Sequence, residues 1–317
     1  MAQHLTVLHN QSLATHLAAA TDRGRVRPEN QDYVDLRFFS ERPFNGRKTG
    51  LHSGSQDETT RRTFDFAMLV ADGVGGGRHG AVASATVGED MMKALEAAVI
   101  DRRLIDDGRD TTIQDTLHEI PLRIHRHLMS MAGERPELEG MGTTLTTACV
   151  AWPWLYVVHI GDSRAYLYRN GKLMPLTTDH TVGQALMDRG EPGFQTDQKS
   201  PFDNVLWNAL SATECSPVPE INRFRLQPED GILLCSDGLT RHLSAGEISA
   251  VLQQGRPVNE TCQRLIDDAN ADGGRDNISV AYGRFCSQLS ESCDETILDP
   301  DNICGVSDTD LEATAIV

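Results

Sequence analysis

Residues 64–73 read FDFAMLVADG, an apolar run that stops at an aspartate followed by a glycine. The stretch from Phe64 to Ala71 has the length and apolar density of a buried strand. The same ending recurs along the chain. Gly161-Asp162-Ser163-Arg164 follows LYVVHI, Ser236-Asp237-Gly238 follows ILLC, and Asp276-Asn277 precedes ISVAYG. A strand fixes its last residue, and a neighbouring glycine lets the backbone turn sharply and approach a ligand closely. Carboxylates gathered from several strand ends repel one another unless cations lie between them, and an all-oxygen set suits Mg²⁺ or Mn²⁺. Asp-Gly is also a common turn, so each segment alone reads more readily as a strand exit. Four in one chain point to a shared site.

Working outward, His79–Ile100 carries Ala, Val, Met and Leu at helical spacing. Thr111–Met131 places Ile113, Leu117, Ile120, Ile124 and Leu128 on one face, with Pro121 predicting a kink or break. Strands are expected at Thr143–Ala151, Leu155–Ile160, Ala165–Arg169, Ile232–Cys235 and Asn277–Phe285. Asn170-Gly171 is a hairpin turn signal. Strands and helices in this order suggest sheets with helices packed outside them, not a βαβ dinucleotide fold. Residues 1–17 read as a loosely attached leader and 40–63 as an exposed loop. Residues 175–212 read as a mobile flap, helical around Val182–Arg189. After Arg284 the chain holds eight acidic residues and no Lys or Arg, so 286–317 read as a disordered acidic tail.

The chain has 317 residues, with 29 Lys and Arg against 46 Asp and Glu, a net charge of −17. Such a surface repels nucleic acid phosphates and anionic membranes, so neither is an expected partner. No apolar run reaches the length of a membrane span, and the N-terminus lacks the basic-then-apolar plan of a secretory signal. The seven cysteines form no CxxC pair, and their odd number fits reduced thiols in the cytosol. A cytoplasmic monomer is the default expectation.

One further element, TDRGRVRPENQDY over residues 21–33, places Arg27 five residues before Asp32. Arginine offers a rigid fork that matches phosphate in two-point contact. Taken together, DRGRVRPENQD, VADGVGGGRHGAVAS, GMGTTLTTACV, VHIGDSRAYLYRNGKL, LLCSDGL and GGRDNISV resemble, in order, the PPM family of type 2C protein phosphatases, and above all its bacterial branch. The resemblance spans Thr21 to Phe285. It implies an α+β fold: a β-sandwich of two antiparallel sheets flanked by antiparallel helix pairs, in one catalytic domain over residues 18–285.

By that resemblance Asp72 would bridge two metal ions, with the Gly73 carbonyl helping to bind one. Asp237 and Asp276 would serve the other ion, and Asp32 would meet the second directly or through water. Arg27 would hold the substrate phosphate. Asp162 would help bind a third, weaker ion, and Gln31 and Asn277 would stand behind the ligands. Gln31 replaces a Glu common in the family, and Val74 stands where animal members have a proposed proton-donating His; His79 nearby reads as a surface residue at a helix start. The implied reaction is hydrolysis of phosphoserine and phosphothreonine in proteins by a water activated by Mn²⁺ or Mg²⁺, opposing a Ser/Thr kinase on its targets. Two readings compete: a phosphoprotein-binding domain without turnover, and a metal-dependent nuclease or phosphodiesterase. In the tail, Thr296 and Asp299 have the spacing that forkhead-associated domains favour in phosphothreonine ligands, while Thr309 and Thr314 are candidate kinase targets.

Overall fold

The computed structural model describes residues 3–9, 13–39, 65–74, 79–100, 110–191 and 200–287. The expected loop at 40–63 lies outside them, as does the acidic tail beyond Ser287 with its candidate threonines. The strands are β1 (Gln3–His9), β2 (Leu13–Asp22), β3 (Asp32–Phe38), β4 (Phe66–Val74), β5 (Gly142–Thr143), β6 (Leu145–Ala151), β7 (Trp154–Ile160), β8 (Arg164–Arg169), β9 (Lys172–Pro175), β10 (Leu210–Ser211), β11 (Glu220–Arg225), β12 (Gly231–Cys235) and β13 (Ile278–Ser287). The helices are α1 (Gly80–Ile100), α2 (Asp110–Glu134), α3 (Val182–Asp188), α4 (Asp237–Thr240), α5 (Ala245–Gln253) and α6 (Val258–Ala271).

One sheet runs β1-β2-β13-β12-β8-β9. The other runs β10-β5-β4-β6-β7-β11, with β3 joined to β4. The pairings are antiparallel throughout. Alternation along β4 explains its unbroken apolar sequence. Phe66, Met68 and Val70 enter the core between the sheets, against Leu17, Leu234, Ala281 and Phe285. Ala67, Leu69 and Ala71 face the other way, against α1 and α2. Strand β12 does the same on the far sheet, with Ile232 and Leu234 inward and Leu233 and Cys235 under α5 and α6. Strands buried on both faces lose the polar–apolar alternation of a half-buried sheet. The result is four layers, helix–sheet–sheet–helix, the α+β sandwich expected.

Local sequence accounts for several elements. Asn170 and Gly171 have φ of 52° and 75°, the left-handed pair of a tight hairpin turn joining β8 to β9. Ser244 and Glu247 form a reciprocal capping box that starts α5. Helix α2 presents Ile113, Leu117, Ile120, Ile124 and Leu128 to the core, as its spacing predicts. It runs through Pro121 without the expected break. The buried apolar stripe on both sides of the proline holds the helix together despite one missing N–H donor.

Three expectations are corrected. Residues 1–17 are not simply a leader: Gln3–His9 form β1, and β2 begins at Leu13 and pairs along its length with β13. Leu17 is fully buried between the sheets. The C-terminal boundary moves likewise, because Cys286 and Ser287 belong to β13 and pair with Ala14 and Leu13. In the segment 175–212, α3 stands where helix was expected. Its root is not an excursion, however: Thr177, His180 and Thr181 are buried, and β10 joins the second sheet.

Leu17→Ala should cost about 2–5 kcal/mol of folding stability, the usual range for a large-to-small change in a packed core. Urea denaturation would measure it, and a loss below about 1 kcal/mol would restore the leader reading.

Candidate active site

The five aspartates singled out in the sequence meet at one end of the sandwich. Asp32 opens β3 and lies directly across from Asp72 on β4. Asp72-Gly73 thus falls inside the strand rather than after it. On the other sheet, Cys235 pairs with both Arg164 and Val280. This register brings the Asp162 turn, Asp237 at the start of α4 and Asp276 before β13 to the same edge. Asp72 experiences the charges of Asp32, Asp237, Asp162 and Asp276, and Asp32 those of Asp237 and Asp276.

Close backbone packing makes this convergence feasible. A Cβ on Gly238 would overlap the Asn277 carbonyl oxygen, and one on Gly73 would stand 2.5 Å from the Gly80 carbonyl. Only glycine lets α4 lie against β13, or α1 against the end of β4. His79 immediately precedes α1, its carbonyl accepting the Ala83 N–H at 2.9 Å.

Hydrogen bonds then fix two of the carboxylates and the backbone around the others. Ser236 Oγ donates to Asp32 Oδ2 at 2.7 Å and accepts the Ser279 N–H at 2.9 Å. The Asp72 N–H donates to Thr144 Oγ1 at 2.9 Å, and its carbonyl accepts from Thr143 Oγ1 at 2.8 Å. Thr144 Oγ1 also bonds Ser163 Oγ, beside Asp162, at 2.7 Å. Asn277 Oδ1 accepts the Gln31 N–H at 2.8 Å, while its Nδ2 donates to the carbonyls of Arg23 and Glu29, both at 2.9 Å. Asn277 therefore clamps the loop that carries Arg27. The Gln31 carbonyl accepts from Gly73 N at 3.1 Å and Ser84 Oγ at 2.6 Å. Arg27 Nη2 donates to Asp276 Oδ2 at 2.7 Å with its side chain 49% exposed.

Sequence reasoning assigned no role to Ser236, Thr143, Thr144, Ser163 or Arg241. The first four lie within the quoted motifs, and that adjacency was the available signal. Arg241 had none: its guanidinium pairs with Asp237 Oδ2 and donates to Asp276 Oδ2 at 3.0 Å.

The electrostatics are those of acids held too close together in a dry place. Burial pushes the Asp32 carboxyl up to about 7, with Asp237 and Asp276 adding to the shift and the Ser236 hydroxyl opposing it. Burial first, then Asp237, likewise raises Asp162 to about 7. Asp72 is raised well above the usual carboxylate range and Asp237 is raised, burial being the first cause for both. The hydrogen bond to Asp276 raises Arg27 above the ordinary guanidinium value. As they stand, no three His, Cys, Asp or Glu side chains among the described residues form a group arranged to hold an ion. Arginines instead occupy oxygens of Asp237 and Asp276. The donor chemistry nevertheless fits hard divalent cations. Asp32 Oδ1 and Asp237 Oδ1 are buried without a hydrogen-bond partner, and a cation satisfies such oxygens where a carboxylate neighbour cannot.

These shifts have a consequence for stability. With Asp32 and Asp162 near 7 when folded and near 4 when unfolded, the folded chain keeps protons that the unfolded chain releases in between. Their contribution is present at the acidic end of that window and lost as pH rises through it. In EDTA, the melting temperature should fall from about pH 5 to about pH 8, and Asp32→Asn should flatten the slope. Circular dichroism melts at constant ionic strength would check this; an equal slope in the variant would contradict it.

A family model described as protein phosphatase 2C matches residues 52–278. That span contains Asp72, Gly73, Asp162, Asp237, Asp276 and Asn277, while Arg27, Gln31 and Asp32 precede it. The chain is 32% identical over 274 residues to the serine/threonine phosphatase stp of Listeria welshimeri, covering 84% of this chain and 94% of that one. It is 33% identical over 272 residues to the serine/threonine protein phosphatase PstP of Mycobacterium tuberculosis, covering 85% of this chain and 45% of PstP. Among solved structures, the catalytic domain of PstP in complex with two manganese ions is similar, with a TM-score of 0.64 and 32% identity, covering 86% of this chain and 99% of that one. The serine/threonine phosphatase of S. agalactiae aligns with a TM-score of 0.68 and 26% identity, covering 85% and 98%. With the family model matching well over half of its length, this chain belongs to the protein phosphatase 2C family.

Proposed function

We propose that this chain is a metal-dependent protein serine/threonine phosphatase that hydrolyses phosphoserine and phosphothreonine in proteins. The observation that carries the reading is the convergence of five buried or nearly buried aspartates, two with unpartnered oxygens, beside an exposed arginine. The similar PstP catalytic domain is in complex with two manganese ions, which supports a divalent-metal site. Asp72, Asp32, Asp237, Asp276 and the Gly73 carbonyl would hold two Mn²⁺ or Mg²⁺ ions, and Asp162 would contribute to a third, weaker one. When bound, such ions supply water acidic enough to attack at neutral pH and positive charge for the phosphoryl oxygens.

The remaining work falls to the chain's own groups. Arg27 presents its fork at the solvent boundary, where it can exchange Asp276 for a phosphate. Ser236 holds Asp32 by one oxygen and leaves the other for a cation. The Thr143–Thr144 pair fixes the Asp72 backbone, so its carboxylate does not depend on a loop for position. Among the described residues no cysteine stands in the site as a nucleophile, and direct attack by water needs no phosphoenzyme.

Phosphoproteins are the substrate class, and the kinase that marks them is the natural counterpart in a signalling pair. No helix among the described residues is long and apolar enough to cross a membrane. The forkhead-associated partner at Thr296 and Asp299 remains a separate proposal. A tail peptide phosphorylated at Thr296 should bind such a domain, and failure to do so would remove it.

The decisive experiment is hydrolysis of a phosphothreonine peptide with Mn²⁺ and after addition of EDTA. Turnover that EDTA abolishes is expected; no turnover with any divalent ion in folded protein would favour phosphoprotein binding without catalysis. Preference for a diester over the monoester would instead favour a phosphodiesterase. Asp237→Ala should lower kcat/KM by about a hundredfold or more. Ser236→Ala should weaken Mn²⁺ binding by about ten- to a hundredfold, the usual effect of removing a group that orients a ligand. Calorimetric titration with Mn²⁺ would measure the second effect independently of turnover.

A further inference from the structure

Arg241 sits at the C-terminal end of α4, where its N–H donates to the Asp237 carbonyl at 2.8 Å. That single turn of helix stacks its side chain over the Asp237 carboxylate. One guanidinium nitrogen pairs with Asp237 Oδ2, and the other donates to Asp276 Oδ2 at 3.0 Å. Arg27, arriving from the loop before β3, donates to the same Asp276 Oδ2 at 2.7 Å. Two guanidiniums from distant parts of the chain thus converge on one oxygen. Their side chains are 38% and 49% exposed, whereas the carboxylates beneath are 12% and 15% exposed. The arginines form the rim of the site and the aspartates its floor.

Two like charges held this close need anions between them; here these are Asp276 Oδ2, shared by both forks, and Asp237 Oδ2, on Arg241 alone. A phosphate monoester offers three oxygens and two negative charges, with spacing that both forks can use at once. Divalent cations compete with the arginines for the lone pairs of Asp237 and Asp276. Each carboxylate oxygen that turns to a cation frees a guanidinium donor at the rim. We propose that Arg241 is a second substrate-binding arginine: with Arg27 it grips the phosphate, and the pair favours dianionic monoesters over singly charged diesters. This rests on the phosphatase reading above.

The test uses the full-length protein with saturating Mg²⁺ and inorganic phosphate as the probe. Calorimetry on the wild type, Arg241→Ala and Arg241→Lys should show phosphate binding weakened about tenfold by the alanine and less by the lysine, which keeps the charge but not the fork. A parallel Mn²⁺ titration should show metal affinity unchanged or tighter in Arg241→Ala, because a competing cation has gone. With the phosphothreonine peptide, KM should rise while kcat changes little. Phosphate affinity equal to wild type at saturating metal would overturn the proposal. So would a loss that additional metal restores, since Arg241 would then only pin the carboxylates. If Arg241→Ala does not fold, an unaltered phosphate affinity in Arg241→Lys together with unaltered KM would overturn it equally. Phosphate binding that depends on Arg241 in a wild type without turnover would leave this inference standing and refute the enzymatic reading.

Discussion

Mutual repulsion among buried carboxylates is the constraint on which the rest of the site depends. Asp32, Asp72, Asp162 and Asp237 are raised by burial first and then by a neighbouring carboxylate, Asp237 for Asp32 and Asp162, Asp32 for Asp72, and Asp276 for Asp237. Left alone, such a cluster would open the end of the sandwich to water. Three things oppose that: retained protons, the guanidiniums of Arg27 and Arg241, and hydrogen bonds that hold the Asp32 carboxylate and the Asp72 backbone from behind. A divalent cation replaces the first two, so cation binding and folding act on the same electrostatic strain.

The hydrogen bonds matter because the acids belong to different sheets. Asp32 and Asp72 sit on β3 and β4, while Asp162, Asp237 and Asp276 come from the edge formed by β8, β12 and β13. Ser236 Oγ reaches from the second group to Asp32 in the first, and Ser163 reaches from the Asp162 turn to Thr144 behind Asp72. The sandwich core beneath, where Phe66, Met68 and Val70 meet Leu234, Ala281 and Phe285, sets the separation that those bonds span. A shift of one sheet over the other would break both bonds at once. The floor of the site is therefore tied to the packed interior, although its rim is exposed.

The aspartates were legible in the sequence because the signal for each is local: an apolar run, an acid and a glycine or asparagine. Central strands announced themselves because burial on both faces removes polar residues from them. Strand β2 did not, because LATHLAAATD is alanine-rich and its partner β13 lies at the other end of the chain. Nothing near Leu17 says that a strand some 260 residues away will cover it. Arg241 was invisible for a related reason. A four-residue helix leaves no periodicity to read, and its partner Asp276 comes from a separate segment. Pairings that depend on the closed sandwich are absent from any short window of sequence.

The segment after β9 is tied to the site by the same kind of bonds. Asp179 takes Arg164 in a two-point pair at 2.8 and 2.7 Å, and the His180 N–H donates to the Gly161 carbonyl at 2.8 Å. His159 is driven down to about 4 by burial first and by His180 next, so it is neutral at physiological pH. The Thr178 carbonyl, 3.0 Å away, can only accept, which places the proton on Nε2, while Nδ1 lies 3.0 Å from Thr146 Oγ1, whose hydroxyl donates to the Ser163 carbonyl at 2.8 Å. His180 Nδ1 accepts from Gly161 N at 3.2 Å and Asn208 Nδ2 at 2.8 Å, leaving Nε2 to donate to Glu220. The Gly161 N–H and carbonyl both bond His180, Arg164 bonds Asp179, and the Ala165 N–H donates to Thr177 Oγ1 at 3.1 Å, so the backbone on both sides of Asp162 is tied to residues 177–180. The root of this segment is part of the wall that positions Asp162. A displacement that reached the root would move Asp162 and, through Ser163 and Thr144, the backbone of Asp72.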